Sequence, residues 1–258
     1  MSNECYRPLI EDMVWSYSRV TCFDDCPYKW FIKYIHFPKE DESPMFYSSY
    51  GKFMHKLIEL YYKNKITRDE MKLKFLTEFK DNVKGDRPSA KIVSDYINKG
   101  INYIETFKPV PYNIIDVEKK IDFKIGDKKF VCIIDMVCEE NGDIYIIDNK
   151  SRDLKTRSNR KTPTLKDAEL DEMLKQLYIY SVAVYQHYGK YPKYLCFNCF
   201  KSGVFIKEPF DINRLEEVVS EFLNKIAMIE SSEDFYPRVD YFYCNNLCGF
   251  SKSCVYNE

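Results

Sequence analysis

The sequence predicts an α+β domain in which a compact block of strands sits between helical segments. Three observations point to it. Residues 113–151 read as a three-stranded antiparallel meander punctuated by Asn141-Gly142, and that dipeptide is the strongest short hairpin signal because a type I′ turn needs positive φ at both central residues. The flanking segments instead carry apolar residues at helical spacing. At 258 residues, with 45% hydrophobic and 16% aromatic content, the chain can bury a core as one domain with a helical subdomain.

Taken in order, Ser18 is placed to cap a helix running through Tyr28, Trp30, Phe31 and Tyr34, with Pro27 tolerated in its first turns. A second helix spans Gly51 to Lys63, where Phe53, Met54, Leu57, Ile58, Tyr61 and Tyr62 form the apolar stripe. His55 and Glu59, four apart, then share another face. From Thr67 to Phe107 the pattern stays helical, interrupted around Lys84 to Pro88, and reads as a helical insertion.

In the meander, an Asn141-Gly142 turn sets Glu140 against Asp143, and stepping outward brings Asp135 opposite Asp148 on one face, with Lys150 two residues further along that face. Ile133, Ile134, Ile146 and Ile147 surround the pair. Two like charges in so apolar a setting are costly unless a cation lies between them. A tight turn at Gly126-Asp127 brings Glu118 opposite Asp135 from the other side, as a third carboxylate or as part of a solvated face with Asp116, Lys120 and Asp122.

The chain holds ten cysteines. Cys244, Cys248 and Cys254 close it and Cys26 sits in a Cys-Pro turn near its start, so the two ends are expected to meet at one metal centre, with Cys22 an alternative to Cys26. Four thiolates suit zinc or an iron-sulfur cluster equally. Cys196 and Cys199 lie in a strand, where positions three apart face opposite ways. With Cys5, Cys132 and Cys138 they read as core thiols. Neither an amino-terminal leader nor an apolar run long enough to span a bilayer is visible, so a reducing cytoplasm is the expected location. The formal net charge of −1 excludes a global basic footprint, and nucleic-acid binding would rest on a local patch. The basic run Arg152, Lys155, Arg157, Arg160, Lys161 and Lys166 is either a solvated loop or a surface for phosphate contacts blind to sequence.

Asp135 followed after a hairpin by Asp148, Asn149 and Lys150 resembles the core motif of the PD-(D/E)XK nuclease superfamily. The chain is most similar to its RecB-type branch, which includes AddB nuclease domains and the CRISPR-associated nucleases that trim new spacers. That branch carries a histidine on a helix ahead of the meander, matched by His55 after Gly51, and Gln-x-x-x-Tyr on a later helix, matched by Gln176 and Tyr180. Its iron-sulfur members place one cysteine before the nuclease core and three after it, as Cys26, Cys244, Cys248 and Cys254 stand here. This sequence departs in the spacing of the last three cysteines, in Cys132 where glycine is common, and in Asn149 where an aromatic is common.

The resemblance implies a restriction-endonuclease-like core with a mixed central sheet flanked by helices, a helical insertion and an iron-sulfur staple joining the termini. The boundaries expected are an N-terminal segment over 1–36, the insertion over 64–110, the nuclease core over 111–210 and a C-terminal helix with the cysteine cluster over 211–258. It implies Mn²⁺ or Mg²⁺ held by His55, Asp135, Asp148 and the Asn149 carbonyl, with Glu118 a possible extra carboxylate and the imidazole tilting the choice toward Mn²⁺. Lys150 would orient or deprotonate the attacking water, and Gln176 with Tyr180 would contact DNA and close the site. A 4Fe-4S cluster would be held by the four cysteines. The expected activity is exonucleolytic cleavage of DNA ends or single strands, with Arg152, Lys155, Arg157, Arg160 and Lys161 on the DNA and protein partners from a recombination or spacer-acquisition complex. The alternative is a non-catalytic, metal-stapled binding or assembly subunit that keeps the fold.

Overall fold

The structure is a computed structural model, and it describes residues 6–37, 40–41 and 45–256. Cys5 lies outside the described residues.

The amino-terminal part does not form the single helix expected. Helix α1 covers Arg7–Glu11, and α2 covers Tyr17–Asp25, capped by Ser16, whose side chain accepts from Arg19 N–H, rather than by Ser18. Cys26 then adopts an extended conformation (φ −165°, ψ 114°) and caps a separate α3, Pro27–Phe31. Pro27 explains the break: its ring pushes the preceding residue out of the helical region, while its fixed φ suits the first position of the next helix. One π-helical turn, Ile32–His36, follows.

Helix α4, Phe46–Tyr62, starts five residues earlier than the sequence suggested and buries Phe53, Met54, Leu57 and Ile58. Helices α5, Arg68–Asn82, and α6, Ala90–Thr106, cover the segment expected to be helical. They cross closely at Gly100, where an added β-carbon would meet the Phe75 ring at 2.4 Å.

The meander is present as β1, Asn113–Ile125, β2, Lys128–Glu140, and β3, Asp143–Lys150. Asn141 (φ 53°) and Gly142 (φ 83°) both take the left-handed conformation that a type I′ turn requires. Helix α7, Leu165–Tyr188, carries the chain over the sheet to β4, Pro192–Cys199, which runs parallel to β3. Strand β5, Val204–Pro209, is antiparallel to β4, and α8, Ile212–Ser231, and α9, Tyr241–Asn246, finish the described chain. The result is one mixed sheet in the order β1-β2-β3-β4-β5.

Each face of that sheet covers its own core. On one side Ile134, Ile146, Leu195 and Cys199 pack under α7 and α8 with Trp15 and Trp30. On the other, Met136, Cys138, Ile147 and Cys196 pack under α4, α5 and α6. Cys196 and Cys199 thus point to opposite faces, and Cys22 and Cys132 lie in the first core, as buried thiols. Among the described residues no helix is long and apolar enough to cross a membrane.

Candidate active site

Strands β2 and β3 stay paired only from Glu140↔Asp143 to Met136↔Ile147. Hydrogen-bonded pairs recur every second residue in an antiparallel ladder, so Ile134 would be the next backbone partner of Asn149. Instead the strands fork, and Asn149 donates its backbone N–H to Asp135 Oδ2 at 2.7 Å. The expected alignment of Asp135 and Asp148 therefore reaches the rung before the pair, and beyond it a side-chain carboxylate takes over from a backbone carbonyl. On the open flank of β2, Trp15 bridges to Phe130. The N-terminal segment thus fills the side that β3 leaves.

Helix α4 delivers His55 to this fork. Its Nδ1 lies 3.3 Å from Asp135 Oδ2. Burial lowers the His55 pKa, an effect opposed by the charge on Asp148, reinforced by that on Lys150 and opposed by a backbone hydrogen bond with Asn149. The ring therefore favours the neutral form that binds a metal. Asp135 is pushed well above the usual carboxylate range, first by burial and then by the charge on Asp148, and the Asn149 N–H works against both.

Glu118 enters from β1. The pairs Val117↔Met136 and Lys119↔Ile134 bracket it opposite Asp135, and it holds a positive φ of 53°, uncommon for a residue with a β-carbon. Ligand atoms of His55, Glu118 and Asp135 all lie within 4.8 Å of one another. Burial and the neighbouring Glu59 raise the Glu118 pKa.

Asp148 and Lys150 lie beside this group. Asp148 is 4% exposed, and Lys150 Nζ lies 2.8 Å from its Oδ2 as an ion pair. Lys150 Nζ also donates to Gln176 Oε1 at 2.7 Å, and Gln176 Nε2 donates to the Tyr180 hydroxyl at 2.8 Å. The four-residue spacing on α7 sets this relay, and burial raises the Tyr180 pKa, keeping the phenol neutral. A buried carboxylate, Asp148, beside a second carboxylate of raised pKa, a third from β1 and a neutral imidazole fits a hard divalent cation.

The fork opens into a cleft of about 480 Å³ lined by Tyr47, Ser48, Lys52, Lys56, Glu59 and Ser151 as well as His55, Glu118 and Asp135. Ser48, Lys52 and Lys56 were not singled out from the sequence, although their four-residue spacing on the polar face of α4 marks them as a stripe.

Half of the basic run after β3 is ion-paired. Arg152 meets Glu169 at 2.9 Å, and Arg157 bridges Asp171 at 2.6 Å and Glu208 at 2.8 Å. Asp167 pins the loop by accepting from Ser158 and Thr164. Lys155, Arg160 and Lys161 lie on the exposed side of the same loop.

Cys26, Cys244, Cys248 and Cys254 line one pocket, separate from the cleft, with Ile32, Val239, Phe250 and Tyr28. Cys26 Sγ accepts backbone N–H groups from Lys29 and Arg238, each at 3.4 Å. Cysteines from both ends of the chain thus line the same pocket. Cys22 lies apart in the α7-side core, where burial pushes its pKa up to about 11.

This geometry agrees with comparisons to known proteins. A crystal structure from Eubacterium rectale, described as a "Putative exonuclease", is 13% identical over 98% of this chain and 92% of that chain, with a TM-score of 0.54. That likeness is one of fold. None of the curated proteins matches this chain. The family model for the PD-(D/E)XK nuclease superfamily matches residues 14–255. That span holds the forked strands, the histidine helix and the lysine relay, and the chain belongs to the PD-(D/E)XK nuclease superfamily.

Proposed function

We propose that this chain is a single nuclease domain that hydrolyses DNA with a divalent cation, acting as an exonuclease on strand ends or single strands. The observation that carries the reading is the cluster of His55, Glu118 and Asp135 ligand atoms within 4.8 Å of one another, beside the buried Asp148–Lys150 ion pair. His55, Asp135, Asp148, Glu118 and the Asn149 carbonyl would hold Mn²⁺ or Mg²⁺. The cation supplies a Lewis acid for the phosphoryl oxygens and acidifies water at neutral pH.

The chain's own groups do the rest. Lys150, fixed between Asp148 and Gln176, orients the attacking water and stabilises the charge that grows on the phosphate in the transition state. Gln176 and Tyr180 hold the lysine in place and cover the α7 side of the site. Lys52 and Lys56 on the cleft wall, with Lys155, Arg160 and Lys161 on the loop, contact the DNA backbone without reading sequence. A recombination or spacer-acquisition assembly is the setting we favour, in a reducing cytoplasm.

For the cysteine pocket we propose a 4Fe-4S cluster that staples the N-terminal turn to the C-terminal tail. Nothing in hydrolysis requires an electron, so its role is to convert cluster binding into folding free energy. Incubation of purified protein with 5′- and 3′-labelled single- and double-stranded DNA, with and without Mn²⁺, tests the activity and its polarity. Binding without cleavage under any metal would favour the non-catalytic alternative.

A further inference from the structure

Asn149 is held from its side chain as well as its backbone. It is 3% exposed, and its Oδ1 accepts from Asn198 Nδ2 at 2.7 Å. The two residues are registered partners on the parallel strands β3 and β4. Asn198 Nδ2 also donates to the Tyr103 hydroxyl at 2.8 Å. Tyr103 belongs to α6 in the helical insertion, is itself buried, and stacks on Phe107 with ring centroids 5.1 Å apart.

Three contacts therefore meet at one residue. The Asn149 N–H holds Asp135, its backbone engages His55, and its amide side chain is tied through Asn198 to a tyrosine of the insertion. A buried amide in a largely apolar sheet is costly unless its hydrogen bonds are made. Side-chain amides facing each other across two strands satisfy part of that demand and restrict rotation of the Asn149 peptide between the metal ligands.

We propose that Asn198 and Tyr103 are positioning residues: through Asn149 they hold Asp135 and His55 in the geometry that binds the cation, and they make the helical insertion part of the active site rather than an appendage. The inference rests on the divalent-cation reading given above. Groups that orient metal ligands typically contribute 10- to 100-fold in affinity, so the effect reads directly in binding.

The test is calorimetric titration of Mn²⁺ into the purified full chain, run for wild type, Tyr103→Phe, Asn198→Ala, the double variant and Asp135→Asn, with thermal melts of each metal-free protein. Tyr103→Phe removes one oxygen and leaves the ring packing, so folding is kept. The expected result is Mn²⁺ affinity weakened about 10-fold in Asn198→Ala, by a smaller factor in Tyr103→Phe, and no further in the double variant than in Asn198→Ala alone, because the tyrosine acts through the asparagine. Wild-type Mn²⁺ affinity in Asn198→Ala and Tyr103→Phe, with only the melting temperature lowered, would overturn the inference. If wild type and Asp135→Asn bind Mn²⁺ equally, the cation reading itself fails; if Asp135→Asn loses binding while the other variants keep it, the inference alone fails.

Discussion

Lys150 Nζ lies 2.8 Å from Asp148 Oδ2 and donates to Gln176 Oε1 at 2.7 Å. The carboxylate and the amide together fix the ammonium at the edge of the site. Replacing Lys150 by alanine should lower the rate of DNA cleavage by roughly 10²- to 10⁴-fold and, by leaving Asp148 without its counter-ion, cost the metal-free protein about 3 kcal/mol. Gln176→Ala should lower the rate by a smaller factor. Single-turnover kinetics and urea melts on the same preparations separate the two effects.

The raised pKa of Asp135 makes a prediction about stability against pH. A carboxyl that binds its proton more tightly folded than unfolded stabilises the fold at pH below its unfolded value, and this stabilisation is lost as pH rises through the folded value. Asp135→Asn removes the charge and keeps an acceptor for Asn149. Without metal, this variant should melt a few degrees above wild type at pH 8, the scale that about 1 kcal/mol gives in a domain of this size, and the gap should close toward pH 4. With Mn²⁺ present the order should reverse. Equal melting temperatures at every pH would show that the charge at 135 is not strained.

His55 distinguishes a ligand from a packing residue. As a ligand, it should contribute more with Mn²⁺ than with Mg²⁺, because imidazole suits the softer ion. His55→Ala should therefore weaken Mn²⁺ binding about 10-fold and shrink the Mn²⁺-over-Mg²⁺ preference. A packing role alone would lower the melting temperature and leave the ratio of the two rates unchanged.

The cysteine pocket predicts a split among thiols. Protein purified without oxygen should be brown, and Cys26→Ala, Cys244→Ala, Cys248→Ala or Cys254→Ala should each lose iron and solubility. Cys196→Ala and Cys199→Ala should keep the iron, since these thiols face the two hydrophobic cores. Iron and zinc are counted by elemental analysis, and colourless protein with stoichiometric zinc would replace the cluster while leaving the nuclease site as it stands.

The loop after β3 should divide by partner. Arg157→Ala breaks two ion pairs and is expected to loosen the loop, with a cost near 1 kcal/mol because the pairs are partly exposed. Lys155, Arg160 and Lys161, when changed to alanine, should each reduce the salt dependence of DNA binding by about one counter-ion, measured as the slope of log affinity against log salt.

Much of the site is legible in the sequence because it depends on local geometry. Asn141-Gly142 sets the β2–β3 register, the four-residue spacing sets Gln176 against Tyr180, and helical periodicity puts His55 on the polar side of α4. The fork escaped that logic: alternation along a strand carries Asp135 opposite Asp148, but whether the ladder continues depends on what fills the space beyond Met136, and here that includes Trp15 from far away in the chain. The same holds for Glu169, Asp171 and Glu208, which pair with Arg152 and Arg157 in a basic run that reads as free in one dimension. Asn198 and Tyr103 meet Asn149 only once β4 and the insertion have packed. The broken helix at Cys26 was signalled by Pro27, whose effect on the preceding residue outweighs the helical pattern around it.

Degradation of end-labelled single-stranded DNA with saturating Mn²⁺, by wild type, Asp135→Asn and Asp148→Asn at matched folded concentration, shows whether both carboxylates are needed for cleavage. Wild type should cleave only with metal present, and neither variant should cleave above background. Cleavage at the wild-type rate in both variants would mean that Asp135 and Asp148 do not hold the catalytic cation.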